Sequence, residues 1–193
     1  MGIEYELKFR ATPQAQADVF ASTEACWQTI AMETTYYDTP QGSLSARRCT
    51  LRRRLENGIS VCTLKTPAPG GARGEWDAQK ASIEEAYPEL CKLADPTLLP
   101  LIEAEGLVVV CGARFTRRCA SIAWGDTQVE IALDAGILMG GSKEIPLCEL
   151  EVELKSGSRE AAATFAQHLA TKYGLQPEEK SKFRRALDLA KEI

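Results

Sequence analysis

The chain alternates apolar and polar residues from its first positions. Ile3, Tyr5, Leu7 and Phe9 interleave with Glu4, Glu6 and Lys8, a period of two that predicts a strand over residues 2–10 with one greasy and one charged face. Thr12 followed by Pro13 supplies a helix cap and first-turn proline. "METTYYDTPQGSL" reads as a strand running into a turn at Thr39-Pro40-Gln41-Gly42. "RRCTLRRRLENGISVCTLKT" reads as two strands joined at Asn57-Gly58, the strongest short hairpin signal. "PAPGGAR" follows as a loop and "RGEWDAQ" as another short strand.

Residues 82–105 carry a helical pattern cut by Pro88, Pro96 and Pro100, which predicts two or three short helices. From residue 107 the period returns to two. "LVVVCGARFTRRCASIAW", "QVEIALDAGIL" and "IPLCELEVELK" are separated by turns at Gly125-Asp126 and Gly140-Gly141. Ser158 caps a helix that runs to about Tyr173 and stops at Gly174, and "SKFRRALDLAKEI" is a final helix. There is no internal repeat, and residues 1–193 read as one domain.

Charge sharpens this picture because it is sorted by sign. Glu149, Glu151 and Glu153 share one face of their strand. Same-face neighbours lie ~6.5–7 Å apart, so each ionised pair repels by roughly 2–3 kcal/mol at an effective dielectric near 20. Glu130 and Asp134 share a face of the preceding strand. Arg52 and Arg54 project together with Thr50, and Lys65 projects with Thr63. Arg73, Glu75 and the cluster Arg114, Arg117 and Arg118 follow, and periodicity alone does not choose among the last three. A single strand with one wet face is ordinary. A purely acidic strand beside strands with alternating arginines suits a cavity that holds a cation next to an anion. Hard divalent cations take carboxylate oxygens, polyphosphates take arginine and lysine, and phosphoryl transfer uses both.

Composition excludes several other classes. The net charge of −4 and pI near 5.2 argue against a nucleic-acid partner. Seven cysteines, an odd number without a CxxC, argue against a disulfide framework or zinc ribbon, and most of them read as reduced core residues. No apolar run approaches the ~18 residues of a membrane span, and no signal peptide opens the chain, so a cytoplasmic location is expected. His168, the single histidine, reads as a structural or surface residue, and no Walker-type phosphate loop occurs. Arg184 and Arg185 read as a solvated helix face, and Trp27, Trp76 and Trp124 as packing aromatics.

The ordered set "EYELK", "YYDTPQGSL", "LRRR", "TLK", "ALDAG" and "CELEVELKSG" resembles the CYTH domain of the triphosphate tunnel metalloenzymes, from residue 3 to about residue 185. The resemblance implies an α+β fold: a closed antiparallel β-barrel of about eight strands forming a charged tunnel, with helices packed outside. It implies hydrolysis of a triphosphate dependent on Mg²⁺ or Mn²⁺, most simply inorganic triphosphate to pyrophosphate and phosphate. Class IV adenylate cyclases and thiamine triphosphatases share the scaffold, and a non-catalytic polyphosphate- or nucleotide-binding module is the remaining alternative. By motif position, Glu4, Glu6, Glu151 and Glu153 match metal-binding or water-activating carboxylates, joined by Asp134 and Glu149. Glu4, Glu6 and Lys8 are the catalytic candidates. Lys8, Arg52, Arg54, Lys65 and Arg117 match the triphosphate cradle, joined by Arg73 and Lys182. The family also admits a homodimer and a following helical CHAD domain in a longer chain.

Overall fold

The computed structural model describes residues 2–68 and 73–191, with side chains from Tyr5 onward. Its strands are β1 (Gly2–Glu4), β2 (Glu6–Arg10), β3 (Gln28–Asp38), β4 (Thr50–Glu56), β5 (Ile59–Pro67), β6 (Arg73–Ala78), β7 (Val108–Trp124), β8 (Thr127–Gly140), β9 (Lys143–Ser156) and β10 (Gln176–Pro177). Its helices are α1 (Pro13–Ser22), α2 (Ser43–Ala46), α3 (Ile83–Ala94), α4 (Leu98–Glu105), α5 (Arg159–Tyr173) and α6 (Lys182–Lys191). The expected hairpin turn forms with Asn57 and Gly58 both at positive φ, 50° and 86°. The expected caps form as well: Thr12 accepts from the Ala15 amide and Ser158 from the Ala161 amide. The helical stretch resolves into α3 and α4, with Pro96 in the break between them.

The strands form one antiparallel sheet in the order β1-β6-β5-β4-β3-β7-β8-β9-β2-β10. This corrects the expectation of a closed barrel of about eight strands. Among the described residues the sheet has ten strands and two ends. The predicted first strand divides at Tyr5. Its first half, β1, pairs with β6, and its second half, β2, pairs with β9. The other edge of β2 is taken by β10, with Gln176 opposite Arg10 and Pro177 opposite Phe9. That edge is therefore closed to β6, and the ladder does not run round. The sheet nevertheless curls, because residues from β2 and from β6, far apart in the strand order, line a common cavity.

The convex face carries the apolar sides of the strands. Leu7, Phe9, Val129, Ile131, Leu150 and Val152 pack with α1 and α5 through Val19, Ala162 and Phe165. Leu51, Cys62 and Leu64 pack with α3 and α4 through Ile83, Leu90, Leu98 and Ile102. One helix departs from the expectation of helices outside. Helix α6 packs on the concave face, where Ala186 and Leu187 meet Met32, Tyr36, Phe115 and Leu138. Gly140 makes this approach sterically feasible: a Cβ there would lie 2.2 Å from the Ala186 carbonyl oxygen and 2.6 Å from the Ala190 nitrogen. All seven cysteines are free thiols, five of them buried. No helix among the described residues is long and apolar enough to cross a membrane.

Candidate active site

The concave face encloses a cavity of about 410 Å³ whose charged lining comes from seven strands and the start of α6. Its basic wall is built by alternation. Leu51 and Leu55 point outward, so Arg52 and Arg54 point in with Thr50, and across the hairpin register Lys65 stands opposite Thr50. Arg52 Nη2 and Lys65 Nζ both lie against Glu75 Oε1, at 3.2 and 3.4 Å. Arg73 Nη2 donates to Thr50 Oγ1 and to the Arg48 carbonyl, each at 3.1 Å. Arg54 is half-buried beside Arg52 and Arg117. Burial first, then those two cations, lowers its pKa. The Nε atoms of Arg52 and Arg54 are buried and have no hydrogen-bond partner among the described residues.

The acidic wall is set by register across three strands. Glu6 of β2 is directly opposite Glu153 of β9, which is directly opposite Glu130 of β8. Directly paired residues have Cβ atoms about 5 Å apart, so three carboxylates stand in one row. Lys155 Nζ reaches Glu153 at 2.7 Å and Glu130 at 3.5 Å, and Lys8 Nζ reaches Glu6 at 3.3 Å. Glu130, Lys155 and Glu75 were not among the predicted site residues. The signal for Glu130 was its alternation with Val129 and Ile131. The β2 register carries Lys8 opposite Glu151, one row deeper. The side chain of predicted Glu4 lies outside the described residues.

Behind this row lies a buried knot of six charges. Asp134 and Glu149 are fully buried and do not line the cavity, whereas Glu151 does. Arg117 resolves its cluster by pointing inward: its Nε and Nη2 donate to the two Asp134 oxygens at 2.8 and 2.7 Å, and Nη2 donates to Glu151 at 2.5 Å. Arg114 and Arg118 are exposed on the other face. Lys182 Nζ contacts Asp134 at 2.8 Å, Glu151 at 2.6 Å and Glu149. The three carboxylates can present oxygens within 4.8 Å of one another, a spacing that suits a metal ion, and the Lys182 ammonium contacts all three. Arg185 donates to Glu149 from the other side, which corrects its reading as solvated; Arg184 is exposed as expected. The signal was present in the chain. Lys182, Arg185, Ala186 and Leu189 follow helical spacing, so the two cations lie in the apolar stripe.

Burial dominates the acid–base properties of this knot. It pushes the Asp134 carboxyl up, but Lys182 and Arg117 outweigh it and hold the group at about 2. Burial, then the Glu6 carboxylate, pushes Glu151 up to about 8 against the pull of Arg117. Burial pulls Lys182 down to about 8 against the pull of Asp134.

Comparison with known proteins decides the family. The model of the CYTH domain matches residues 2–187. The chain belongs to the CYTH family. Over 174 residues this CYTH chain is 27% identical to the inorganic triphosphatase of Haemophilus influenzae, covering 86% of the chain and 49% of that relative. It thus spans about half the length of the curated relative it matches. Its fold is similar to that of the PH1819 protein of Pyrococcus horikoshii OT3, with TM-score 0.66 and 21% identity over 96% of this chain and 99% of that one. It is also similar to HpAC1 from Hippeastrum, described as having a dominant triphosphatase activity, with TM-score 0.64 and 18% identity over 99% and 98% of the two chains.

Proposed function

We propose that this CYTH chain is a divalent-metal-dependent hydrolase of triphosphates, with inorganic triphosphate as its substrate and pyrophosphate and phosphate as products. The observation that carries the reading is the pair of buried, unpartnered guanidinium Nε donors on Arg52 and Arg54. A buried N–H left unsatisfied costs roughly 1–3 kcal/mol, and phosphate oxygens supply the missing acceptors. The name of the Haemophilus influenzae relative supports the same activity.

In this reading Arg52, Arg54, Lys65 and Arg73 hold the phosphate oxygens along one wall, with Lys8 and Arg117 toward the acidic side. The donor set opposite is all carboxylate, which fits a hard cation such as Mg²⁺ or Mn²⁺. Glu6, Glu151 and Glu153 would hold it, with Glu130 adjoining. A bound divalent ion supplies positive charge to the phosphoryl oxygens as charge builds in transfer. Asp134 and Glu149 act from behind by fixing Arg117 and Lys182. Glu6, beside Lys8, takes the proton of the attacking water, and the bond to the terminal phosphoryl group breaks to leave pyrophosphate. Residues 1–193 act as one unit, with no nucleic-acid partner.

The test is phosphate release from triphosphate with Mg²⁺, with Mn²⁺ and with EDTA, in the wild type and in Glu6→Gln and Glu153→Gln. We expect turnover that needs the metal and falls about a hundredfold or more in each variant, with the melting temperature little changed. Wild-type rates in both variants would sink the assignment. Cyclic AMP formed from ATP would move the activity to a cyclase.

A further inference from the structure

A second cavity of about 310 Å³ adjoins the first. Thr50, Arg73, Ser181 and Phe183 line both, so the two are neighbours across a shared wall at the start of α6. Their chemistry differs. The first mixes acids and bases. The second presents Arg48, Arg73 and Arg184 with the hydroxyls of Thr50 and Ser181, and no carboxylate among its described lining residues. Arg184 Nε is braced by Asp188 at 2.9 Å, and Arg73 Nη2 by Thr50 and the Arg48 carbonyl.

The backbone at Arg48 adds an independent observation. Helix α2 ends with the Cys49 amide bonded to the Leu44 carbonyl and the Arg48 amide bonded to the Ser45 carbonyl. This helix end places Arg48 in the left-handed region, at φ 59°. Glycine adopts that conformation without penalty and is the ordinary residue there. A long side chain kept at a strained position points to use of the side chain, and here it borders a cavity lined with cations.

We propose that the second cavity is an anion subsite for a phosphate group lying beyond the three held in the main cavity, with Arg48 and Arg184 as its own cations and Arg73 at the junction. The inference rests on the reading of the main cavity as a triphosphate site. The same oxyanion chemistry has two sources: the fourth phosphate of a longer linear chain, or free phosphate or pyrophosphate.

The experiment compares Arg48→Gly, Arg184→Gln and the double variant with the wild type. It measures kcat/KM for triphosphate and for tetraphosphate, inhibition by orthophosphate and pyrophosphate, calorimetric binding of tetraphosphate without metal, and melting temperature. We expect triphosphate kcat/KM to stay within about twofold, while tetraphosphate kcat/KM or affinity falls about tenfold in the double variant, as for a lost charge-assisted hydrogen bond. Arg48→Gly should not lower the melting temperature. Weaker phosphate or pyrophosphate inhibition with tetraphosphate unaffected supports the site and assigns it to the free anion. Unchanged tetraphosphate and unchanged inhibition, or equal losses for both substrates, overturn the subsite. A wild-type protein inert toward triphosphate would instead overturn the parent reading, and the tetraphosphate calorimetry would still report on the second cavity.

Discussion

Replacing Lys182 by methionine keeps most of the side chain's length and removes its charge. In the wild type the ammonium contacts Asp134, Glu149 and Glu151, at 2.8 Å for the first and 2.6 Å for the last. At an effective dielectric near 20, each such contact is worth ~6 kcal/mol of attraction before desolvation. Taking the ions out of water returns several kcal/mol per ion, so the measurable cost of breaking a buried network by removing one partner is about 3–5 kcal/mol. Methionine leaves three carboxyl groups facing two cations, Arg117 and Arg185, so the third either stays as an uncompensated buried charge or takes up a proton at a free-energy cost. For a chain of this size, that loss corresponds to a drop of roughly 6–20 °C in melting temperature. The assay is thermal and urea unfolding at neutral pH. The same variant should regain stability on adding Mn²⁺, because the three carboxylates can offer oxygens within 4.8 Å of one another and the ammonium that meets them all is gone. The wild type should show a smaller response. A drop of under about 2 °C in melting temperature, or no selective recovery with Mn²⁺, would refute the picture of Lys182 as the cation at the centre of the knot.

Two further outcomes follow from the same elements. Asp134 is held at about 2 against an ordinary 3.8; a depressed carboxyl contributes stability above the higher value and loses it as pH falls through the lower. Between about pH 4 and 2 the wild type should therefore lose roughly 2 kcal/mol more than Asp134→Asn does, and parallel acid limbs in denaturant titrations would contradict this. Gly140→Ala places a Cβ into the backbone of α6 and should cost about 1–3 kcal/mol by overpacking. It should also lower triphosphate turnover by shifting Lys182; an unperturbed melting curve would show that α6 does not approach so closely.

Much of this was legible because alternation carries direction. Arg52, Arg54 and Lys65 share an inward face because Leu51, Leu55 and Leu64 occupy the outward one, and the Asn57-Gly58 turn fixes the hairpin register. The way the sheet ends was not legible. Strand β10 is two residues long and leaves no period to read, yet by taking the outer edge of β2 it keeps the ladder from closing. The division at Tyr5 is equally silent, since Glu4 and Glu6 keep the same parity on either side of it. Helix α2, four residues long, is hidden within a turn signal. Arg185 was read as solvated because a guanidinium on a terminal helix usually is, and its helical spacing with Ala186 and Leu189 was the stronger indication. Asp134 and Glu149 were placed on the correct face, but facing inward did not decide between the cavity and the knot behind it.

The knot contains three bases, Arg117, Lys182 and Arg185, against three acids, Asp134, Glu149 and Glu151, a sum of zero when all are ionised. Ions in solution have little hold on Asp134 and Glu149, the two members sealed from the cavity, while they compete directly for the guanidinium wall across it. Raising ionic strength therefore separates the two halves of the molecule: the scaffold endures as capture of a polyanion weakens.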